Sequence, residues 1–412
     1  MRRILKNDFN IKRDLNFELS NTIFKNETND INKYTKLAQK YWNKKNIKKC
    51  IKYLLLALNL DFENSVTLSK LGYAYYKLGQ FPIAINYFKH SLKNNIDNSD
   101  SLNFWALALL QQGKWFNINE SNYLNKNLKK LTFKSYGLFY ISLIINNIIL
   151  NKNQLNTLIF KDIANEYNGD FKTSFRTLPK FVQVWLLFLN KLNNQILNTK
   201  KLHTLTNLKT IYHIGDSHCL SFVNQNIKLN NISYKILPKL ISGAKAWHFA
   251  NKEINLSKTL FVNHLKNVEL SSIVFLSFGE IDCRPDEGII KAYLKSDHSE
   301  ESLNAIIHKT VKNYLEFCCD QAKNRNITFY FFGVHAPIIK KEYTEKADLL
   351  KNIIMKFNLY LKNICYEKGL NFIDTFKYTR NNQYISNKKY MLDNCHLNFK
   401  FIKVIEKINT QT

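Results

Sequence analysis

The chain has 412 residues, of which 45% are hydrophobic and 14% aromatic, and its 60 Lys and Arg against 32 Asp and Glu give a net charge of +28. That length exceeds one ordinary core, so two domains are expected; only 5 Pro and 11 Gly exclude a chain built largely of linker or low-complexity sequence. The lysines are scattered among asparagines, with no basic stripe interleaved with aromatics, which argues for solvated positive faces and against nucleic-acid binding. Residues 279–301 reverse the sign locally, with Glu280, Asp282, Asp286, Glu287, Asp297, Glu300 and Glu301 against Arg284, Lys291 and Lys295.

Residues 1–30 have little periodicity and are set apart as an N-terminal segment. Met1-Arg2-Arg3-Ile4-Leu5 carries charge without a following apolar run, so no signal peptide is expected. The longest apolar stretch, 136–150, contains Asn146 and Asn147 and is shorter than the roughly 20 residues of a spanning helix. It reads as a buried helix, and the protein as cytoplasmic with no transmembrane segment. Seven cysteines, an odd number without paired spacing, are then expected as free thiols. Their spacings match no zinc pattern, and neither metal nor cofactor is expected.

A period of 34 begins near residue 31. Leu37, Ala38, Tyr41, Cys50, Leu54, Ala57 and Leu58 recur as Leu71, Gly72, Tyr75, Ala84, Phe88, Ser91 and Leu92. A third pass places Trp105, Ala106 and Leu109 in register, with Gly113 matching Gly79 and Trp115 matching Phe81. This pattern resembles the tetratricopeptide repeat (TPR), in which a small residue lets two helices approach and large residues fill the seam. The proline that often closes such a repeat is absent; Phe62 and Ile96 stand there. The resemblance covers 31–118 and implies either a concave surface for a protein partner or a structural platform. Residues 119–200 keep helical apolar spacing, as in Phe181, Val184, Trp185, Phe188 and Leu189, and are expected to be atypical helices capping the array. The helical domain is therefore expected over 31–206 and a second domain over 207–412.

From 208 strands alternate with helices. Strands are expected at 210–214, 232–237, 272–278, 327–332 and 371–373, and helices at 245–265, 302–322 and 346–368. That alternation implies a three-layer α/β/α domain with a parallel, flavodoxin-like sheet, whose site lies at the carboxyl ends of the strands. Ser217, Gly243, residues 279–284, His335 and residues 393–396 all fall just after those strands or in late loops. In His213-Ile214-Gly215-Asp216-Ser217-His218 a strand leads through a tight turn to a helix start. A serine there is exposed beside backbone N–H groups able to hold an oxyanion.

These blocks resemble the SGNH/GDSL hydrolase superfamily over about 208–402. Gly215-Asp216-Ser217 corresponds to the first block, Gly243 to the second, Gly279-Glu280-Ile281-Asp282 to the third and Asp393-Asn394-Cys395-His396 to the last. The resemblance implies Ser217 as nucleophile, His396 as general base and Asp393 as its orienting carboxylate, acting on a small or carbohydrate ester such as an O-acetylated sugar. A serine hydroxyl needs such a base to become nucleophilic near neutral pH. The family's third-block asparagine, an oxyanion donor, is replaced by Ile281. The backbone N–H groups of Ser217 and Gly243 then remain for the oxyanion, with Arg284 the nearest substitute donor or a ligand for an anionic substrate group. A salt bridge from Arg284 to Asp282, Asp286 or Glu287 is the alternative. Glu280, Asp282 and His335 are further candidates for lining the substrate cleft, and His218 is expected to point away into the helix start. A hydrolase or acyltransferase and a non-catalytic ligand-binding scaffold both fit this sequence.

Overall fold

A computed structural model of the chain describes residues 31–113, 133–166, 178–199 and 208–408. The expectations for residues 1–30, for Trp115 and for the domain boundary at 206/207 lie outside them. The chain divides into two compact units between Ala108 and Leu109.

The 34-residue period is carried by helix starts. The helices are α1 (Ile31–Asn43), α2 (Ile47–Leu60), α3 (Ser65–Lys77), α4 (Phe81–Asn94) and α5 (Ser99–Gln111). Successive odd-numbered helices begin 34 residues apart, as do α2 and α4. Asn46 and Asn64 cap α2 and α3 by accepting from the backbone N–H groups of Lys49 and Thr67. Ala38 and Gly72, one period apart, are both buried. At Gly72 a Cβ would lie 2.6 Å from the ring of Phe88, so α3 and α4 approach too closely there for any side chain. Ser91 Oγ of α4 donates to the Ser65 carbonyl of α3 and accepts from Ser101 Oγ of α5 at 2.8 Å, so one hydroxyl links three helices.

In the second unit the apolar stretch is α6 (Phe133–Ile149), followed by α7 (Asn153–Glu166) and α8 (Lys180–Asn198). A buried asparagine thread joins the three. Asn147 donates to Asn156 Oδ1, and Asn156 Nδ2 faces both the Ile144 carbonyl and Asn193 Oδ1. Along α8, Trp185, Phe188 and Leu189 are buried while Phe181 and Val184 are exposed. Among the described residues no helix is long and apolar enough to cross a membrane. All seven cysteines are free thiols.

Six strands follow: β1 (Lys209–Gly215), β2 (Asn226–Leu229), β3 (Ile232–Leu240), β4 (Ile273–Ser277), β5 (Thr328–Phe332) and β6 (Asn371–Ile373). Their order is β2-β3-β1-β4-β5-β6, parallel except for β2. The antiparallel edge strand β2 was not expected. It is joined to β3 by Asn230 and Asn231, both at positive φ, as a two-residue type I′ hairpin requires. The helix expected over 245–265 is two, α9 (Ala246–Ala250) and α10 (Leu256–Lys266), interrupted where Asn255 caps the second. The other expected helices are α11 (Glu300–Ala322) and α12 (Ala347–Glu367).

One face of the sheet buries Ile211, Ile236, Phe275, Phe332 and Ile373 against Phe222, Phe401 and Ile405. On the other face Phe331 packs edge-on against Tyr314 of α11, which in turn meets Phe249 of α9. With both faces covered, polar groups find an outlet only at the strand ends.

A Gly72→Ala substitution drives a methyl into the fully buried Phe88 ring. It should lower the unfolding free energy by about 1–3 kcal/mol, as overpacking does, measured as a shift in the urea midpoint; an unchanged midpoint would show that the helices can separate there at no cost.

Candidate active site

Parallel register brings the motif-bearing turns to one sheet edge. Gly215, the last residue of β1, pairs with Leu240 of β3 on one side and Ser277 of β4 on the other. Gly215 has no room for a side chain, since a Cβ there would meet Ser277 Oγ at 2.2 Å. Ser217 and Gly279 therefore each lie two residues past that paired level, and Gly243 lies three residues past Leu240. His335 lies three residues past Phe332, the end of β5.

The turn after β1 is a short 3-10 helix, Ser217–Phe222, rather than the start of an α-helix. Asp216 caps it by accepting from the His218 N–H at 2.9 Å. Asn224 in the loop that follows donates to the Ile148 carbonyl and so fastens this turn to α6.

Ser217 Oγ lies 2.8 Å from His396 Nε2. His396 Nδ1 lies 2.8 and 3.0 Å from the two carboxylate oxygens of Asp393. A carboxylate only accepts, so the proton of the neutral ring sits on Nδ1 and Nε2 is free to accept from the serine hydroxyl. Asp393 Oδ1 also accepts the backbone N–H groups of Cys395 and His396. Burial pushes the Asp393 carboxyl up, but the His396 ring and these N–H donors outweigh it and hold it well below the usual carboxylate range.

The His396 ring is buried. Phe188 of α8 stacks on it, with centroids 3.7 Å apart and planes 19° apart. Sequence reasoning placed Phe188 only in an apolar stripe, and an apolar stripe does not mark which ring will meet a histidine.

The remaining candidates are placed differently from expectation. His218 turns inward: its Nδ1 lies 2.7 Å from Asp216 Oδ1 and its Nε2 2.6 Å from the Cys395 carbonyl. Burial pulls its pKa down, but the Asp216 carboxylate, with help from Glu280, raises it to about 9. Arg284 pairs with Glu280 through three contacts of 2.6–3.1 Å, and with none of the three acids proposed from sequence. Those three are engaged elsewhere. Asp286 accepts from Tyr343, Glu287 pairs with Lys245, and Asp282 accepts from Ala246 N–H at 2.7 Å and Trp247 N–H at 3.0 Å.

Asp282 is therefore not a cleft residue. It is fully buried, which raises its pKa to about 6, and it anchors the start of α9 directly after the Gly243 turn. Gly243 itself is exposed at φ +68°, with open space where a Cβ would stand. Ile281 is buried and opens a single 3-10 turn.

His335 is buried as well, its Nδ1 facing the Ala336 carbonyl. With His213, Ser221, Ser277 and Glu280 it lines a cavity of about 30 Å³. His213 Nδ1, Ser221 Oγ and His335 Nε2 have no hydrogen-bond partner there. The cavity is large enough for a water molecule, which those polar atoms suit.

Among the described residues, two groups bring metal-ligating atoms within 4.8 Å of one another: Asp393, Cys395 and His396, and Asp216, His218 and Glu280. In the first, His396 and Asp393 are engaged with each other and with Ser217. In the second, both ring nitrogens of His218 are used and Glu280 is held by Arg284, so neither group offers an uncommitted set of ligands.

No protein family matches the chain in sequence, and no curated protein does. Among solved structures, the chain is similar to a protein from Bacteroides fragilis described as an acylhydrolase (16% identity, 53% of this chain and 91% of that one, TM-score 0.34). It is also similar to a GDSL-like lipase from Bacteroides thetaiotaomicron (13% identity, 54% and 95%, TM-score 0.33). A third similarity is to a carbohydrate acetylesterase from Sinorhizobium meliloti (11% identity, 50% and 100%, TM-score 0.30).

Replacing Asp282 by Ala strands two backbone N–H donors at the start of α9. The Ala246 N–H is buried and the Trp247 N–H only partly so. A buried donor left unpaired costs about 1–3 kcal/mol, so the Asp282→Ala protein should lose at least about 1 kcal/mol by urea denaturation. A loss below the error of that measurement would mean that the Gly243 turn does not depend on this anchor.

Proposed function

We propose that residues 207–412 form an SGNH/GDSL-type serine esterase or acyltransferase, with Ser217, His396 and Asp393 as its catalytic triad. The observation that carries the proposal is the unbroken chain from Ser217 Oγ through the His396 ring to the Asp393 carboxylate, with links of 2.8 Å on each side of the ring. In this reaction Ser217 Oγ attacks the ester carbonyl carbon while His396 Nε2 takes the hydroxyl proton. The Asp393 carboxylate stabilises the imidazolium so formed. Collapse of the tetrahedral intermediate breaks the ester C–O bond, and His396 returns the proton to the departing alcohol oxygen. Water, or the hydroxyl of a second acceptor, then attacks the acyl-serine with His396 again as base; collapse breaks the acyl–Oγ bond and His396 returns the proton to Ser217 Oγ, which gives hydrolysis or acyl transfer. No cofactor takes part.

The oxyanion falls first to the backbone N–H groups of Ser217 and Gly243, since Ile281 cannot donate; Arg284 is drawn to Glu280 through its Nε and Nη2. Loss of one such donor costs roughly 10²–10³ in rate, so a slow enzyme is expected. The substrate class we favour is an O-acylated, in particular O-acetylated, carbohydrate or another small ester. We further propose that α1–α5, with their 34-residue spacing, form a TPR-like array that holds a protein partner. The helical domain expected over 31–206 is divided, since α6–α8 fall in the same compact unit as the sheet. A non-catalytic ligand-binding scaffold is the second reading, and Ile281 in the donor position is what favours it.

The assay is hydrolysis of p-nitrophenyl acetate by the full chain and by its Ser217→Ala variant. The variant should fall at least about 10³-fold, to background; equal rates would end the esterase proposal and leave the scaffold.

A further inference from the structure

The peptide between Cys395 and His396 is held at both ends. Its N–H donates to Asp393 Oδ1 at 2.7 Å, and its carbonyl accepts from His218 Nε2 at 2.6 Å. A planar peptide fixed at both ends fixes the Cα of His396. His218 is in turn held at its other ring nitrogen by Asp216, the residue before the nucleophile. The residues flanking Ser217 are thus joined through one imidazole to the residue preceding His396, across 177 positions of sequence.

Both ring nitrogens of His218 face acceptors, a carboxylate oxygen and a carbonyl oxygen. A neutral imidazole has one N–H, so this geometry requires two, and hence the cation. We propose that His218 is a positioning residue that, as a standing imidazolium, clips the His396 loop to the Ser217 turn, and that loss of its proton releases the clip. The catalytic part of this inference rests on the esterase reading; the protonation state does not.

The charged and titratable groups around His218 come from five elements. Asp216 lies on its own turn. Glu280 and Arg284 lie on the turn after β4. His335, after β5, has its ring centroid 6.0 Å away, and burial lowers its pKa. His396, with a ring centroid 4.8 Å away, Asp393 and Cys395 lie on the C-terminal loop. His213 in β1 is held neutral by burial, with its pKa lowered to about 3. Asp216 and Glu280 against His218 and Arg284 make a balanced quartet, so the buried cation has its counter-charge at hand. The same balance places release of the His218 proton near pH 9.

The test is the pH profile of kcat/KM toward p-nitrophenyl acetate for the full chain and its His218→Gln variant. The wild type should lose activity above about pH 9 with a single-proton slope. The variant, whose amide does not ionise, should be slower by about 10- to 100-fold, as expected for a misplaced base, and should lack that limb. A variant that keeps either the wild-type rate or the alkaline limb overturns the proposal. Nitrogen-15 NMR of histidine-labelled wild type needs neither activity nor a folded variant. One buried imidazole should carry protons on both ring nitrogens near pH 8, and a neutral His218 there overturns the proposal. Should Ser217→Ala match wild type in hydrolysis, the esterase reading fails while the NMR result still decides the clip.

Discussion

The hydrogen bond between Ser217 and His396 joins residues 179 positions apart in sequence. Such a contact has no local cause and needs each side positioned separately. On the serine side, parallel pairing of β1 with β3 and β4 brings the turn to the sheet edge, and the bare backbone of Gly215 lets β4 come close beneath it. On the histidine side, Asp393 does two things with one carboxylate: it orients the ring and holds two backbone N–H groups. A short loop is given a defined shape by its own acid, and the imidazole needs no further reach to meet the hydroxyl.

Around that contact the fold spends its polar groups on positioning. Asp282 anchors the start of α9 behind the Gly243 turn. Glu280 and Arg284 neutralise each other beside the His218–Asp216 pair. Phe188 reaches the His396 ring from α8, a helix outside the sheet, so the helical part of the second unit contributes an aromatic face to the site. Of the acidic residues that crowd 279–301, Glu280 and Asp282 are engaged inside the fold, whereas Asp286, Asp297, Glu300 and Glu301 lie exposed.

Much of the architecture was legible because it follows from local pattern. The 34-residue period reflects helices of nearly equal length meeting at small residues, and Gly72 against Phe88 shows the physical reason. The alternation of apolar runs with amphipathic ones fixed five strands and their parallel sense. What escaped was set by partners distant in sequence. The four-residue strand β2 is too short for a periodic signal, although the Asn230-Asn231 pair between apolar residues is a hairpin cue. Asp282 sits in a motif, but its two N–H partners lie 35 and 36 residues upstream. His218 is adjacent to the serine, and only the folded chain shows that its ring points to Cys395 instead of away.

The most direct measurement is covalent labelling of the full chain with a fluorophosphonate, followed by mass-spectrometric mapping of the modified residue. A serine activated by a histidine attacks phosphorus, and an ordinary surface serine does not. The account predicts a single adduct on Ser217 that disappears in the His396→Gln protein. No adduct on Ser217, or an adduct that forms equally well without the imidazole of His396, would contradict it.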